Sequence, residues 1–503
     1  MTNPLYDALV APLAGRATAV LTDAHEQEMT GDQLHADAMR LANALTGLGL
    51  QPGDRVAVQI DKTPQALALY LAALTAGLVF LPLNTAYTAD EVDYFVENSG
   101  AALLVGAPEK GPALREVASR HGALFQTLDS HGQGSLADLA RTASDRFDPV
   151  GRRPDDLAAI LYTSGTTGRS KGAMLSQSNL LSNAQVLVGE WRFTDRDLLL
   201  HMLPIFHTHG LFVAINVVLL SRGSMIFLPG FKVDQAIEWL PRATCMMGVP
   251  TFYTRLLDDP RFTADLVGHM RLFTSGSAPL LAETHRQFEQ RTGHRILERY
   301  GMTETNMNSS NPYDGDRRAG TVGFPLPGVQ IRITDPVTGE PLPQGAPGMI
   351  EVRGPNVFQG YWGMPEKTKE ELREDGFFIT GDIGLIDAQG CLSIVGRQKD
   401  LIITGGYNVY PKEIELILDE QPGVLESAVV GVPHPDFGEA VVAVLVPQPG
   451  AAPDLDRICE ALSHSLARFK QPKHFEIVPE LPRNTMGKVQ KNLLRDALDK
   501  LFR

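Results

Sequence analysis

Residues 161–174, LYTSGTTGRSKGAM, combine hydroxyl side chains, glycines and two cations directly after an apolar run. Glycine lets backbone N–H groups approach an anion closely, and hydroxyls with a lysine complete a phosphate-binding shell. A Walker P-loop is disfavoured because it needs Gly-x-x-x-x-Gly-Lys-Ser/Thr, and Ser170 stands at the fifth position after Gly165. A polar surface loop is the structural alternative. The position of the stretch directly after a predicted strand favours a phosphate-binding loop.

Two further stretches carry carboxylates beside residues suited to a nucleotide. In ERYGMTETNMN (298–308), Tyr300 could stack on a base and Glu304 is a hard ligand suited to Mg²⁺. In FFITGDIG (377–384), Asp382 could accept both ribose hydroxyls. Each also has a structural explanation, because Glu after Thr is common at helix starts and Gly-Asp is common in turns.

The last two stretches lie near the C-terminus. GRQKDLIITGGYNVYPKEIE (396–415) contains Arg397, Lys399 and the pair Gly405-Gly406. LPRNTMGKVQK (481–491) places Lys488 just after a Pro-to-Gly turn. Taken singly, each stretch is more often structural than functional.

Length and composition describe an ordinary multidomain globular protein. At 503 residues the chain exceeds what one core usually serves, and its net charge of −14 disfavours nucleic-acid or anionic-membrane binding. The three cysteines, Cys245, Cys391 and Cys459, are far apart and odd in number, so we expect buried thiols in a cytoplasmic protein, with no disulfide or zinc site. We expect no export signal, and we interpret the apolar segment 66–83 as a buried helix running into a strand, not a membrane span.

Alternating patterns predict the architecture. Strand-like runs at 54–60, 78–83, 102–106, 157–163, 224–229, 244–250 and 271–276 alternate with helical stretches such as 64–76, 178–190 and 280–292. This indicates an α/β fold of layered subdomains with ligand sites at the carboxyl ends of strands. From about 329, period-two alternation predicts a β-rich subdomain, and after 400 the pattern predicts a small α+β domain.

The five motifs, in this order and at these separations, resemble the adenylate-forming superfamily of acyl-CoA synthetases, luciferases and peptide-synthetase adenylation domains. The similarity covers essentially the whole chain. It implies an N-terminal adenylation domain at 1–396, a hinge at 397–400 around Lys399, and a mobile C-terminal domain at 401–503. It also implies an ATP site with these residues: Thr163, Ser164, Gly165, Thr166, Thr167, Lys171, Ser277, Ala278, Pro279, Glu298, Arg299, Tyr300, Gly301, Met302, Thr303, Asp382, Arg397 and Lys488.

The resemblance also implies the reaction. ATP and Mg²⁺ on Glu304, with Thr167 as a further metal ligand, would convert a carboxylate into an acyl-adenylate and diphosphate, helped by Lys171 and Lys488. The domains would then turn about Lys399, and the Gly405-Gly406 loop would line the channel for CoA, whose thiol displaces AMP. Because the Lys488 charge is needed, a lysine acetyltransferase acting there would switch the enzyme off, and a deacetylase would restore it.

Family position assigns the acid pocket to His207, Thr208, Ser277, Arg286 and Met307. Their polarity suits a second carboxylate, for which arginine is the best partner, and we expect Arg286 to be the clamp. A solvated helix-face arginine is the alternative, and His207 could equally be an ordinary gate of the acyl site.

The sequences of three stretches, HTHGLFVA, GVPTFYTRLL and RYGMTETNMN, resemble those of the malonyl-CoA synthetases. This resemblance implies that malonate is the acid substrate and that methylmalonate is a slower substrate. One departure concerns CoA: relatives tend to carry a basic residue directly after FLP, where this chain has Gly230, with Lys232 two positions on.

Three other functions remain open: a short- or medium-chain monocarboxylate–CoA ligase, an adenylation module that loads a carrier protein, and a non-catalytic adenylate sensor. The lack of an appended carrier domain counts against the second. The presence of Lys171, Glu304, Asp382, Arg397 and Lys488 counts against the third.

Overall fold

The structure is a computed structural model that describes residues 2–163, 170–405, 407–484 and 487–502. Two predicted groups therefore lie partly outside the described residues. In the phosphate loop these are Ser164, Gly165, Thr166 and Thr167, and in the glycine pair it is Gly406.

The strands of the described residues are β1 Ala19–Thr22, β2 Glu28–Thr30, β3 Arg55–Gln59, β4 Val79–Pro82, β5 Leu103–Gly106, β6 Leu124–Thr127, β7 Leu157–Thr163, β8 Lys171–Ser176, β9 Leu198–His201, β10 Ser224–Phe227, β11 Cys245–Gly248, β12 Leu272–Ser275, β13 Leu297–Met302, β14 Asn306–Ser310, β15 Phe324–Pro325, β16 Gln330–Thr334, β17 Gly348–Arg353, β18 Phe378–Ile386, β19 Leu392–Arg397, β20 Ile402–Thr404, β21 Tyr407–Val409, β22 Val424–His434, β23 Gly438–Pro447 and β24 His474–Ile477.

The α-helices are α1 Gly31–Gly47, α2 Pro64–Thr75, α3 Ala89–Ser99, α4 Gly111–Arg120, α5 Ser135–Arg141, α6 Gln177–Glu190, α7 Asn216–Leu220, α8 Val233–Trp239, α9 Pro250–Leu257, α10 Ala264–Val267, α11 Ala282–Thr292, α12 Pro365–Glu371, α13 Pro411–Asp419, α14 Leu455–Ser465 and α15 Lys491–Leu498. A wide helical turn of the π type covers His209–Ile215 and runs directly into α7.

Two sheets with mainly parallel strands form the body of the molecule. One has the order β6-β5-β3-β4-β7-β8, and the other has the order β15-β14-β13-β12-β11-β9-β10-β1-β2. Within the second sheet, β9 to β13 and β1 pair in parallel, so the chain leaves β9, β11, β12 and β13 at the same edge. This edge is where an α/β sheet is expected to carry its ligand site.

Helix α2 resolves the apolar segment at 66–83. The side chain of Thr63 accepts a hydrogen bond from the N–H of Ala66, and Pro64 occupies the first turn, so the helix begins there. Nearly every residue of α2 is buried, and the chain then enters β4, whose four residues are buried as well. The segment is a core helix and strand, as predicted, and no described helix is long and apolar enough to cross a bilayer.

The β-rich region and the C-terminal unit follow in chain order. Strands β16 to β19 form an antiparallel sheet. The long β22–β23 hairpin, with β20, β21 and β24, forms the C-terminal sheet, which packs apolar residues of α13 and α14 on one face and of α15 on the other. The predicted fold class, a large α/β N-terminal part with a β-rich subdomain and a small C-terminal α+β domain, is confirmed; its mobility and the boundaries at 396 and 400 stay predictions.

Candidate functional site

Three chain segments meet at the carboxyl edge of the nine-stranded sheet. They are 202–209 after β9, 276–280 after β12, and 303–306 between β13 and β14. Parallel pairing of β9, β11, β12 and β13 brings these segments together although they are far apart in sequence. The edge therefore brings together predicted residues from three separate stretches: His207, Thr208, Ser277, Ala278, Pro279, Thr303 and Glu304.

Two residues with strained backbones, Asn306 and Ser277, hold the segment His207–His209 in place. The Thr208 hydroxyl donates to Oδ1 of Asn306 at 3.0 Å, and Nδ1 of His209 lies 3.2 Å from the hydroxyl of Ser277. Both partners have positive φ angles, +51° at Asn306 and +70° at Ser277, which non-glycine residues rarely adopt. Such strain concentrates at functional sites, where the surrounding structure must hold it.

Arg299 on β13 is the buried cation of this edge. Its side chain lies against Gly276, where any Cβ would overlap the guanidinium group, and only 3% of the residue is exposed. Its Nε and Nη2 atoms have no hydrogen-bond partner among the described residues. A buried guanidinium with unpartnered donors is costly unless an anion arrives to pair with it.

The imidazoles around Arg299 are uncharged. Burial, together with the charges of Lys488 and Arg299, lowers the pKa of His207 to about 3, and burial with Arg299 also lowers the pKa of His209. Burial lowers the pKa of Arg299 itself to about 10, so the guanidinium stays charged at neutral pH. This half of the site therefore presents the positive charge of Arg299, with that of Lys488 nearby, beside neutral imidazoles, which suits an anion.

A second group on β13 faces the other way. Because side chains alternate along a strand, Glu298 projects opposite to Arg299. Its Oε1 accepts from the N–H of Leu280 at 3.1 Å, while its buried Oε2 has no partner among the described residues. Burial raises the pKa of Glu298 to about 8. Ala278 and Pro279 lie between Ser277, which contacts His209, and Leu280, which contacts Glu298.

Tyr300, Asp382 and Arg397 form a connected group. The Tyr300 hydroxyl donates to Oδ2 of Asp382 at 2.7 Å, and Nε of Arg397 lies 2.8 Å from Oδ1 of the same carboxylate. These contacts join β13, β18 and β19. The structure thus unites three residues that the sequence placed in three separate motifs.

Lys171 belongs to a network of carboxylates. Its Nζ lies 3.0 Å from Oε1 of Glu371 and 3.2 Å from the hydroxyl of Tyr361, and that hydroxyl contacts Glu304 at 2.9 Å and Glu371 at 2.6 Å. Burial raises the pKa of Glu304. Thr163 pairs with Lys171 across the β7–β8 ladder, on either side of the undescribed loop.

Lys488 reaches this site from the C-terminal domain. Lys488 is exposed, while desolvation by the surrounding protein and the charge of Arg397 lower its pKa, and Asp382 and Glu304 act in the opposite sense. The turn Gln398–Asp400 covers the predicted hinge, and Arg495 donates to the carbonyl of Lys399 at 3.4 Å. Burial, followed by Arg397, lowers the pKa of Lys399 to about 8.

The remaining residues of the YGMTE motif and of the acid pocket have structural positions near the same edge. Gly301 allows a close approach of β14, since a Cβ there would overlap the carbonyl of Asn306 and the side chain of Met307. Met302 ends β13, Thr303 opens the turn after it, and Met307 is buried on β14.

Gly405, of the predicted CoA-binding pair, lies between β20 and β21 of the C-terminal sheet. It has φ +57° and donates its N–H to the carbonyl of Phe437 at 2.8 Å.

Arg286 lies apart from this group. It is on α11, whose buried side carries Thr284, His285 and Phe288, and its own side chain is 46% exposed. There it forms ion pairs with Glu283 at 3.0 Å and with Glu420 of the C-terminal domain at 3.4 Å. No described contact joins it to His207, Thr208 or Ser277. In this arrangement Arg286 lies on the exposed side of α11, as in the helix-face alternative, and its role as the clamp stays a prediction.

Sequence reasoning missed several residues of this site. Tyr361 and Glu371 lie 190 and 200 positions from Lys171 and carry no local motif. Asn306 lies in the stretch ERYGMTETNMN, but nothing in the sequence indicated the positive φ angle of its backbone. Arg299 was predicted as an ATP-site residue, but nothing in the sequence indicated that its guanidinium would be buried with nitrogens left without partners among the described residues.

No group of three or more described His, Cys, Asp or Glu side chains is arranged to hold a metal ion. Magnesium, however, is usually bound through one or two carboxylates together with substrate phosphates and water. The buried Glu304 carboxylate, close to the phosphate-loop lysine, fits that mode of binding.

Comparison with known proteins agrees with this geometry. The chain matches the AMP-binding enzyme family over residues 11–362 and the C-terminal domain of AMP-binding enzymes over residues 413–488. The chain therefore belongs to the AMP-binding enzymes of the adenylate-forming superfamily.

Individual relatives narrow the comparison. The crystal structure of ATP-bound MatB from Rhodopseudomonas palustris is 57% identical, with a TM-score of 0.98 and full coverage of both chains. A malonate–CoA ligase of Arabidopsis thaliana is 35% identical, and the aligned region spans 90% of this chain and 79% of that ligase. A sulfoacetate–CoA ligase of Cupriavidus necator is also 35% identical, covering 97% and 98%.

Proposed function

We propose that this protein is an AMP-forming malonate–CoA ligase, which converts malonate, ATP and CoA into malonyl-CoA, AMP and diphosphate. The observation that carries the choice of acid is Arg299, a buried guanidinium with two unpartnered nitrogens beside His207 and Ser277. A monocarboxylate would leave this cation unpaired, whereas malonate has a second carboxylate for it. Relatives named for malonate and for sulfoacetate fit this reasoning, because both acids carry a second anionic group.

In the first step, a carboxylate oxygen of malonate attacks the α-phosphorus of ATP, and diphosphate leaves. Lys488 and Lys171 would neutralise charge on the phosphates, since each lies close enough to Glu304 for their charges to interact. Glu304 would hold Mg²⁺, with Thr167 of the phosphate loop as a further ligand. The metal supplies positive charge at the phosphate oxygens when bound.

The nucleotide is positioned by groups whose hydrogen-bonding capacity is left open. Glu298 has a buried oxygen for the adenine amino group, and Asp382 is oriented by Tyr300 and Arg397 to accept from the ribose hydroxyls. Because burial raises the pKa of Glu298 to about 8, its ionised form needs a donor, which the adenine amino group supplies.

In the second step, the CoA thiol attacks the carbonyl carbon of malonyl-adenylate, AMP leaves with the bonding electrons, and the thiol proton passes to solvent. We propose that the C-terminal domain turns about Lys399 between the steps, which removes Lys488 and brings the Gly405-Gly406 loop to the CoA channel. Methylmalonate would react more slowly, since its extra methyl group must fit the same wall. Acetylation of Lys488 by a lysine acetyltransferase would block the first step only.

The test is ATP–diphosphate exchange with malonate, methylmalonate, acetate, butyrate and octanoate supplied separately. Exchange that depends on malonate, followed by AMP and malonyl-CoA formation on addition of CoA, is the expected result. Exchange that is fastest with butyrate or octanoate would identify a monocarboxylate ligase instead. Exchange with malonate without thioester formation from free CoA would point to a carrier protein as the acceptor.

A further inference from the structure

Lys62 and His201 form a contact that the proposed chemistry does not use. Nζ of Lys62 lies 2.7 Å from Nδ1 of His201 and 2.9 Å from the His201 carbonyl oxygen. The same ammonium lies 4.5 Å from the centre of the Phe227 ring. Thus all three hydrogens of this half-buried lysine have an acceptor, although no described carboxylate forms an ion pair with it.

The contact spans the two large sheets. Lys62 follows β3 of the six-stranded sheet and directly precedes Thr63, which caps α2. His201 is the last residue of β9 in the nine-stranded sheet, and it is buried. The two carboxyl edges that border the site are therefore linked at this point.

His201 extends the link to the acid pocket. Its Nε2 lies 2.9 Å from the carbonyl oxygen of Gly210, so Nε2 carries the hydrogen and Nδ1 accepts one from Lys62. Lys62 thus selects one tautomer of a neutral imidazole. Burial and the charge of Lys62 lower the pKa of His201, which agrees with a ring that donates from Nε2 alone.

Gly210 is where this hydrogen bond can control the pocket wall. A Cβ at Gly210 would overlap the carbonyl of Pro204, so the segment 204–210 is folded tightly on itself. Gly210 belongs to the wide helical turn that begins at His209, and the His207 carbonyl accepts from the N–H of Leu211 at 3.0 Å. A displacement of Gly210 therefore shifts His207 and Thr208 with it.

We propose that Lys62 and His201 are positioning residues that fix the acid-pocket wall at His207–His209 and thereby set the selectivity for a dicarboxylate. The proposal rests on the proposed function, because it takes that wall as the acid pocket. Neither residue is assigned a contact with ATP. Their substitution should therefore change the KM for the acid and not the KM for the nucleotide. Misplacement of a pocket wall by about 1 Å commonly costs up to about a hundred-fold in rate.

The first test replaces Lys62 with Met, which keeps the length of the side chain and removes its donors. Exchange kinetics of Lys62→Met should show a KM for malonate raised roughly ten- to hundred-fold, with the KM for ATP within about twofold. The ratio of malonate to propionate efficiency should fall in parallel. Lys62→Arg, which keeps donors, should recover most of that ratio.

The second test uses a matched pair of amides at His201. Gln places an N–H near the position of Nε2, whereas Asn is too short to reach the Gly210 carbonyl. His201→Gln should therefore retain the selectivity ratio that His201→Asn loses. This pair keeps the proposal testable even if Lys62→Met fails to fold, which thermal unfolding would reveal.

The positioning role and the proposed function would be contradicted by different results. A folded Lys62→Met variant with unchanged malonate KM and unchanged ratio would overturn the positioning role, as would equal losses for ATP and malonate. Equal behaviour of His201→Gln and His201→Asn would do the same. A wild-type protein that does not use malonate would instead overturn the proposed function, and the ratio would then be measured with the acid that the panel identifies.

Discussion

Replacing Arg299 with Met should damage the use of malonate far more than the use of a monocarboxylate. The guanidinium is 3% exposed, and its Nε and Nη2 are left open by the protein, so both can bind the distal carboxylate. Removing one partner of a buried, hydrogen-bonded charge pair costs about 2–5 kcal/mol, much of it because the other charge stays desolvated. In catalytic efficiency this corresponds to roughly thirty-fold to several thousand-fold.

The assay is kcat/KM for malonate and for propionate, measured by diphosphate release with saturating ATP. Propionate makes no contact with the guanidinium, so its slow turnover should change little or should rise as the pocket becomes apolar. The informative quantity is the ratio of the two efficiencies, because a general loss of folding or of nucleotide binding cancels from it. KM for ATP provides an internal check that Glu298 and Tyr300 stay in place.

Arg286→Met is the matched control. Its ion pairs with Glu283 and Glu420 are exposed, and exposed pairs contribute about 0–1 kcal/mol, so both efficiencies should stay within about fivefold and their ratio should not change. Equal losses for malonate and propionate in Arg299→Met would refute the clamp. A selective loss of malonate turnover in Arg286→Met would restore the sequence prediction that Arg286 is the clamp.

Three other predictions concern the C-terminal domain. Lys488→Ala should abolish adenylate formation, while preformed malonyl-adenylate still reacts with CoA, and comparable loss of both half-reactions would contradict this division. Because the Lys488 pKa is lowered from 10.5 and the charged form is required, adenylation should decline as pH rises through that lowered pKa. In Lys488→Arg this decline should move to higher pH, and a pH profile identical to that of the wild type would argue against Lys488 as its source. Lys399→Pro fixes φ at the hinge, so adenylation should survive and thioester formation should fail, whereas normal overall turnover would count against a hinge at this residue.

Much of the fold was predictable because its signals are local. The period of apolar residues predicted helices at 64–76, 178–190 and 280–292, which the structure has as α2, α6 and α11. The predicted strands of the two large sheets are present as β3, β4, β5, β7, β10, β11 and β12, whereas the other strands of these sheets were not predicted. The β20–β21 hairpin was missed, because strands of three residues give too short a pattern to recognise.

The site was predictable only where a motif is continuous in sequence. Tyr300, Asp382 and Arg397 were found as separate motifs and meet in space, as the resemblance implied. The surroundings of Arg286 and Arg299 could not be predicted from the sequence, because they depend on which side chain faces the solvent. Helix α11 turns Arg286 outward, while β13 is buried on both faces and encloses Arg299.

Neighbouring positions on β13 serve two different ligands in the proposed enzyme. Glu298 faces the nucleotide and Arg299 faces the acid, and alternation along the strand keeps them apart without any loop between them. A substitution at 299 can therefore respecify the acid while the nucleotide contact at 298 is inherited unchanged. Insertion or deletion of a single residue upstream within the strand would exchange a carboxyl group and a guanidinium group between the two sides of the strand, so both specificities would be lost together. The strand thus permits divergence by substitution and resists divergence by change of length.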